Sequence, residues 1–169
     1  LACWTGTPQT GPFNAISCLA LDGAGNVYLG SIKHGILKLD SSGNLLDRFG
    51  CGVTLDGSGL EVDGDGQMPL AWVTSLAVDS TGRIYAGEAS GVDAITRAAG
   101  QSNYITVYSA AGRFVARWGG STEATNVLFR GAVQSLVCDA SDRVVALDPK
   151  TNRVQTFSAA GAVENTWGT

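Results

Sequence analysis

One histidine, His34, serves a chain of 169 residues, and charged residues make up only 15% of it. Zinc is usually held by several His or Cys ligands, so a lone histidine does not suggest such a site. The four cysteines, Cys3, Cys18, Cys51 and Cys138, form no CxxC pair. A hydrolytic triad needs a base beside a nucleophile and an orienting carboxylate. His34 stands in a short IKHG loop, and no Gly-x-Ser-x-Gly elbow supplies the nucleophile. No apolar run reaches the length of about 18 residues that a membrane-spanning helix needs. A signal-peptide pattern is also missing, and the chain starts at Leu1 rather than Met, which points to a processed or fragmentary chain. The 11 basic residues are scattered and the net charge is −4. Nucleic-acid partners, which are gripped through clustered Lys and Arg, are therefore not expected. No cofactor is expected either.

What the chain does have is a text written three times. ISCLALDGAGNVY at 16–28 returns as VTSLAVDSTGRIY at 73–85 and, more worn, as VQSLVCDASDRVV at 133–145. Asp22, Asp79 and Asp139 are each followed six residues later by Tyr28, Tyr85 and Val145. A later turn glycine comes at Gly43, Gly112 and Gly161, and seven residues further on stand Gly50, Gly119 and Gly168. An aromatic precedes each of these last glycines: Phe49, Trp118 and Trp167. Alternation in LALD and NVYLG has the period of two that a half-buried strand shows. Gly in the GAG, SSG, STG and AAG turns supplies the positive φ of tight hairpins. Each copy reads as four short strands, in the first copy about 17–22, 26–30, 35–40 and 44–49. The turn aspartates are expected to cap their own turns rather than to catalyse.

A four-stranded antiparallel unit recurring about every 45–60 residues predicts an all-β chain of β-propeller blades. The motif resembles the NHL-repeat family of propellers. Phe13-Asn14 stands nine residues before Asp22, and Asp65-Gly66-Gln67 is similar to the linker found before the next repeat of that family. The chain departs from the pattern too. Ile16, Val73 and Val133 replace its proline, and Cys18, Ser75 and Ser135 replace its glycine. Only Asn152-Arg153 matches its Asn-His-Arg segment. Residues 1–6 are expected to be the remnant of a preceding blade's outer strand, with Trp4 and Gly6 matching Phe49-Gly50 at the cost of one extra residue. The blades are expected at 16–50, 73–119 and 133–168, all within one segment, 1–169. Closed propellers have about four to eight blades. Three would leave two apolar faces open, so further blades or other protein chains should complete the ring, as a homo-oligomer or a hetero-complex. Two copies would make six blades.

Short turns fall on one rim and long connections, 51–72, 88–104 and 120–132, on the other. Asp79 to Gly112 spans 33 residues where Asp22 to Gly43 spans 21, so the second blade carries an insertion within 88–104. Binding usually resides on such loops. The expected partner contacts are Trp72, Glu88, Asp93, Arg97, Tyr104 and His34. Asp56, Glu61, Asp63 and Asp65 are weak calcium candidates in a Gly-flexible loop, without the spacing of an EF-hand. Phe49, Trp118, Trp167 and Trp4 should pack between blades. Cys18 and Cys138 read as buried thiols, and the positions of Cys3 and Cys51 leave a disulfide between them open. Low lysine content and four cysteines lean toward an extracytoplasmic or secreted setting. Function then reads as a non-enzymatic scaffold or protein–protein interaction subunit. The alternative is part of a metal-dependent propeller lyase or hydrolase whose catalytic residues lie in blades absent here.

Overall fold

A computed structural model describes residues 3–8, 11–13, 15–31, 35–50, 70, 72–92, 99–119, 129 and 131–168. Among these residues every regular element is a strand. A short ribbon pairs β1 (Gly6–Thr7) with β2 (Gly11–Pro12). The first sheet then runs β3 (Ile16–Leu21), β4 (Val27–Ser31), β5 (Gly35–Leu39) and β6 (Leu45–Phe49). The second begins with β7 (Val73–Val78) and β8 (Ile84–Glu88). A hairpin of β9 (Ser90–Val92) and β10 (Ala99–Ser102) follows, and β11 (Tyr104–Tyr108) and β12 (Phe114–Gly119) complete the sheet. The third comprises β13 (Ser135–Cys138), β14 (Val144–Asp148), β15 (Arg153–Phe157) and β16 (Val163–Trp167). In the first and third sheets neighbours in space are neighbours in sequence, in the second β8 pairs with β11 across the inserted hairpin, and every pair is antiparallel. The first sheet's strands lie within one residue of the expected limits. The insertion at 88–104, expected as a loop, is partly a second hairpin.

Turn chemistry explains why the chain folds back where it does. Asp22 Oδ1 accepts the backbone N–H groups of Ala24 (3.0 Å) and Asn26 (2.9 Å), so the side chain holds its own turn. Asp79 does the same for Thr81 and Arg83, and Asp139 for Ser141 and Arg143. The hydroxyl of Tyr28 donates to Asp22, and that of Tyr85 to Asp79, tying the turn to the core. The third copy has Val145 at this position. There Arg143 donates to Asp139 Oδ2 through Nε at 2.7 Å and so fills the vacated acceptor. In each outer hairpin the ladder shifts register next to the turn, at Lys38/Leu39, Val107/Tyr108 and Thr156/Phe157. The turn glycines Gly43, Gly112 and Gly161 sit there with φ of 88°, 70° and 87°, the left-handed conformation of a glycine bulge.

The sheets stack through their faces. Strand β3 lies beside β7, and β7 beside β13. Tyr28, Ile36, Phe49, Val73, Leu76, Ile84 and Tyr108 form the apolar seam between the first and second sheets. Tyr85, Ile105, Trp118, Phe129, Leu136, Val144 and Phe157 form the seam between the second and third. Because side chains alternate across each strand, one set of positions faces the preceding sheet and the other faces the next. A third, smaller cluster, Leu29, Leu37 and Leu39 with Phe13, Val27 and Leu45, lies on the first sheet's outer face.

Candidate functional site

The seams follow a rule that the sequence alone did not reveal. In each inner seam the outer-strand aromatic, Phe49 or Trp118, lies against the turn glycine of the next sheet. A Cβ added to Gly112 would stand 2.8 Å from Phe49 Cδ1, and one added to Gly161 would stand 2.6 Å from Trp118 Cδ1. Both are far inside the roughly 3.5–4 Å of normal carbon contact, so only glycine leaves room for the ring. Trp118 is further held between Tyr85 and Phe157, with ring centroids 5.5 and 6.0 Å away.

A polar stitch repeats beside the inner strands. The hydroxyl of Ser17 donates across the seam to the Val73 carbonyl. Thr74 Oγ1 and Ser75 Oγ each lie 2.7 Å from the Val133 carbonyl oxygen. A further tie joins the second and third sheets at the turn rim. Asp142 accepts from the Ser80 backbone N–H at 2.8 Å and from its hydroxyl at 2.6 Å. Asp142 occupies the turn slot of Gly25 and Gly82 and adopts their left-handed backbone, φ 58°. The bonds from Ser80 hold its carboxyl below the ordinary carboxylate value, as the neighbouring Arg143 does for Asp139.

The N-terminal segment obeys the same rule. A Cβ on Gly43 would lie 2.8 Å from Trp4 Cε2, so Trp4 takes the seat that Phe49 and Trp118 take in the inner seams. The Phe13 N–H donates to the Thr5 carbonyl at 2.8 Å, as the Leu70 N–H does to the Gly50 carbonyl at 3.2 Å. Trp4-Thr5 is thus the counterpart of Phe49-Gly50. The expected match to Gly6 with one extra residue is corrected: Thr5 fills the place, and no extra residue is needed. At the other end Trp167 lies against no further sheet among the described residues and is 50% exposed, although its counterparts Phe49 and Trp118 are buried.

Of the expected partner contacts, Glu88, Tyr104 and Trp72 fall among the described residues. Glu88, expected to face a partner, is instead buried at 1% exposure. Its carboxylate meets Arg117 Nη2 at 2.9 Å and accepts from the Thr106 hydroxyl. Arg117 also donates to Thr106 at 2.8 Å and lies over the Tyr104 ring, 4.8 Å from its centroid. The cluster clamps the ends of β8, β11 and β12 together. Sequence reading missed Arg117; the strand-end carboxylate at Glu88, where the first copy has Ser31, was the signal. Trp72 is 52% exposed, and its carbonyl accepts the Ala89 N–H at 2.9 Å. His34, Asp93, Arg97, Cys51, Asp56, Glu61, Asp63 and Asp65 lie outside the described residues. Cys3 is exposed. Burial and the nearby carboxylates of Asp79, Asp142 and Asp139 push the Cys138 thiol up to about 12, and burial also raises that of Cys18. Among the described residues no three His, Cys, Asp or Glu side chains converge on one point.

No family profile matches the chain, and no curated protein matches it. Among solved structures it is similar to one described as the structure of U3-55K, with a TM-score of 0.60 and 15% identity over 92% of this chain. The match covers 39% of that structure, so the chain spans about two fifths of its length. A crystal structure of a protein of unknown function from Bacteroides caccae is similar at a TM-score of 0.48 and 10% identity, covering 90% of this chain and 45% of that one. At 15% identity the first likeness speaks to fold alone. With the three stacked antiparallel sheets, it defines an all-β, β-propeller-like chain whose described sheets do not close a ring.

Proposed function

We propose that the chain is a non-enzymatic scaffold segment of NHL-like type, which works by joining further propeller blades in a larger protein assembly. One comparison of equivalent positions supports this reading. Leu76 and Leu136, which face the preceding sheet, are each 5% exposed, whereas their counterpart Leu19 is 62% exposed. Ala77, which faces the next sheet, is 5% exposed, whereas its counterpart Val137 is 54% exposed. The inner strand of the first sheet and the outer face of the third therefore carry seam residues without a seam. Covering a leucine contributes about 1.5–3 kcal/mol, so each open face has a reason to be occupied. The long-connection rim, with Trp72 half-exposed, is the region assigned to contacts with other subunits.

Hydrogen exchange tests the reading by comparing the isolated chain with the particle purified from its source under gentle conditions. Amides of β3 and β16 should exchange more slowly in the native particle. Equal exchange of both strands in the two states would refute it.

A further inference from the structure

The two inner seams are not equally fastened. At the turn rim the second and third sheets are tied through side chains. Asp142 accepts from the N–H and the hydroxyl of Ser80, and Arg83 Nη1 donates to the Ala159 carbonyl at 3.1 Å. The first seam has no such reach at the matching places. Gly23 stands for Ser80, and nothing lies within 4 Å of a Cβ added there. Gly82 stands for Asp142, and Asn26, which stands for Arg83, donates to Asp22 of its own turn at 2.8 Å. The inner strands differ in the same sense. Thr74 and Ser75 both reach the Val133 carbonyl. Of the matching pair Ser17 and Cys18, the Ser17 hydroxyl reaches across to Val73, while the Cys18 sulfur lies 3.7 Å from Ser17 Oγ of its own strand. The rings add to the contrast. In the second seam Tyr85 meets Trp118, Trp118 meets Phe157, and Phe157 meets Phe129. Among the described residues the first seam has the pair Phe49 and Tyr108.

We infer that the second and third sheets move as one body and that the stack hinges at the seam between the first and second sheets. Both seams lie inside the chain, so the hinge stands apart from the scaffold reading and from whatever covers the outer faces. A single net hydrogen bond is modest, but here the ties act on one seam at the rim, along the inner strand and through the rings. Cooperative units part where few contacts cross between them. The first seam keeps its apolar packing, Tyr28, Ile36 and Phe49 against Val73, Ile84 and Tyr108, and so stays closed at rest. Apolar burial is non-directional. It holds the first sheet against the second without fixing the angle between them. The directional bonds that fix that angle are concentrated in the second seam. A change in the pitch of the stack is therefore taken up between the first and second sheets.

Hydrogen exchange of the whole chain at low, stepped urea concentrations tests this. Amides of β4 and β5 should exchange through an opening that leaves β8, β11, β14 and β15 protected. Those four strands should share a second, larger opening with a common urea dependence. The variant Ser80→Gly/Arg83→Asn gives the second sheet's turn the residues of the first. It should speed exchange of β14 and β15 roughly tenfold, the worth of a net hydrogen bond at the upper end of its usual range. Exchange of β4 and β5 should stay as in wild type. Circular dichroism establishes that the variant is folded; if it is not, the wild-type profile alone decides. One opening common to all three sheets, or loss of β14 and β15 before β4 and β5, overturns the inference. So does a variant that leaves β14 and β15 unchanged or speeds β4 and β5 as much. The scaffold reading is tested on β3 and β16 in the native particle, so the two can fail separately.

Discussion

Two glycine substitutions with nearly the same backbone separate the seam rule from ordinary turn strain. Gly25 and Gly161 have φ of 83° and 87°. Alanine at either must enter the left-handed region, which costs about 1–2 kcal/mol. At Gly25 nothing lies within 4 Å of the added Cβ, so strain is the whole effect. At Gly161 the Cβ would enter the Trp118 ring, 2.6 Å from Cδ1. That indole is 8% exposed and fixed between Tyr85 and Phe157, so it cannot swing away. Overpacking of this sort adds about 1–3 kcal/mol. Gly25→Ala should therefore cost about 1–2 kcal/mol and Gly161→Ala about 2–5 kcal/mol. Urea unfolding followed by circular dichroism reads the difference as a shift in midpoint at constant slope. Gly43→Ala should fall close to Gly25→Ala, because Trp4 stands at an edge and can step aside. Equal costs at Gly25 and Gly161 would refute the aromatic-on-glycine seam.

Other outcomes follow from the same contacts. Glu88→Ala should destabilise by about 3 kcal/mol in urea, because it leaves the Arg117 guanidinium, whose side chain is only 14% exposed, without its carboxylate; a loss under about 1 kcal/mol would mean that the pair behaves as an exposed one. The carboxyls of Asp139 and Asp142 are held below their ordinary value of 3.8. Their stabilising contribution is complete above the unfolded-state value and is lost as pH falls through the folded-state values. The melting temperature should then fall on acidification below about pH 4, and Asp142→Asn should flatten that fall; a profile identical to wild type would exclude Asp142 as a contributor. At neutral pH an alkylating reagent should modify Cys3 quickly and Cys138 slowly, since burial keeps the latter protonated; equal rates, mapped by mass spectrometry, would contradict its half-buried place.

The blades were legible in the sequence because their determinants are local. An aspartate caps the turn two to four residues ahead of it, and a glycine bulge sits at a fixed place in each outer hairpin. Such offsets survive as spacing, so Asp22, Asp79 and Asp139 announced three equivalent hairpins. The seams were less legible because their partners are far apart in the chain. Thr74 bonds a carbonyl 59 residues away, and Glu88 pairs with Arg117 across 29 residues. Nothing local in either residue names its partner. Asp142 left a trace that could have been read: a non-glycine in a slot that the other copies fill with Gly25 and Gly82. Its reason, the bond to Ser80, appears only when the third sheet lies against the second. Glu88 was expected to face a partner, and its burial at 1% exposure gives it a different place. The outer-strand aromatics divide in the same way. Spacing makes Trp4, Phe49, Trp118 and Trp167 equivalent, and only the stacking order shows that Trp167 has no turn glycine of a further sheet to lie against among the described residues.

The most direct test of the scaffold account is the mass of the intact native particle, with its subunits identified by native mass spectrometry. The account predicts a particle heavier than the 17.4-kDa chain, containing either a second copy or other blade-bearing chains. A stable, well-folded particle of one chain alone would contradict it.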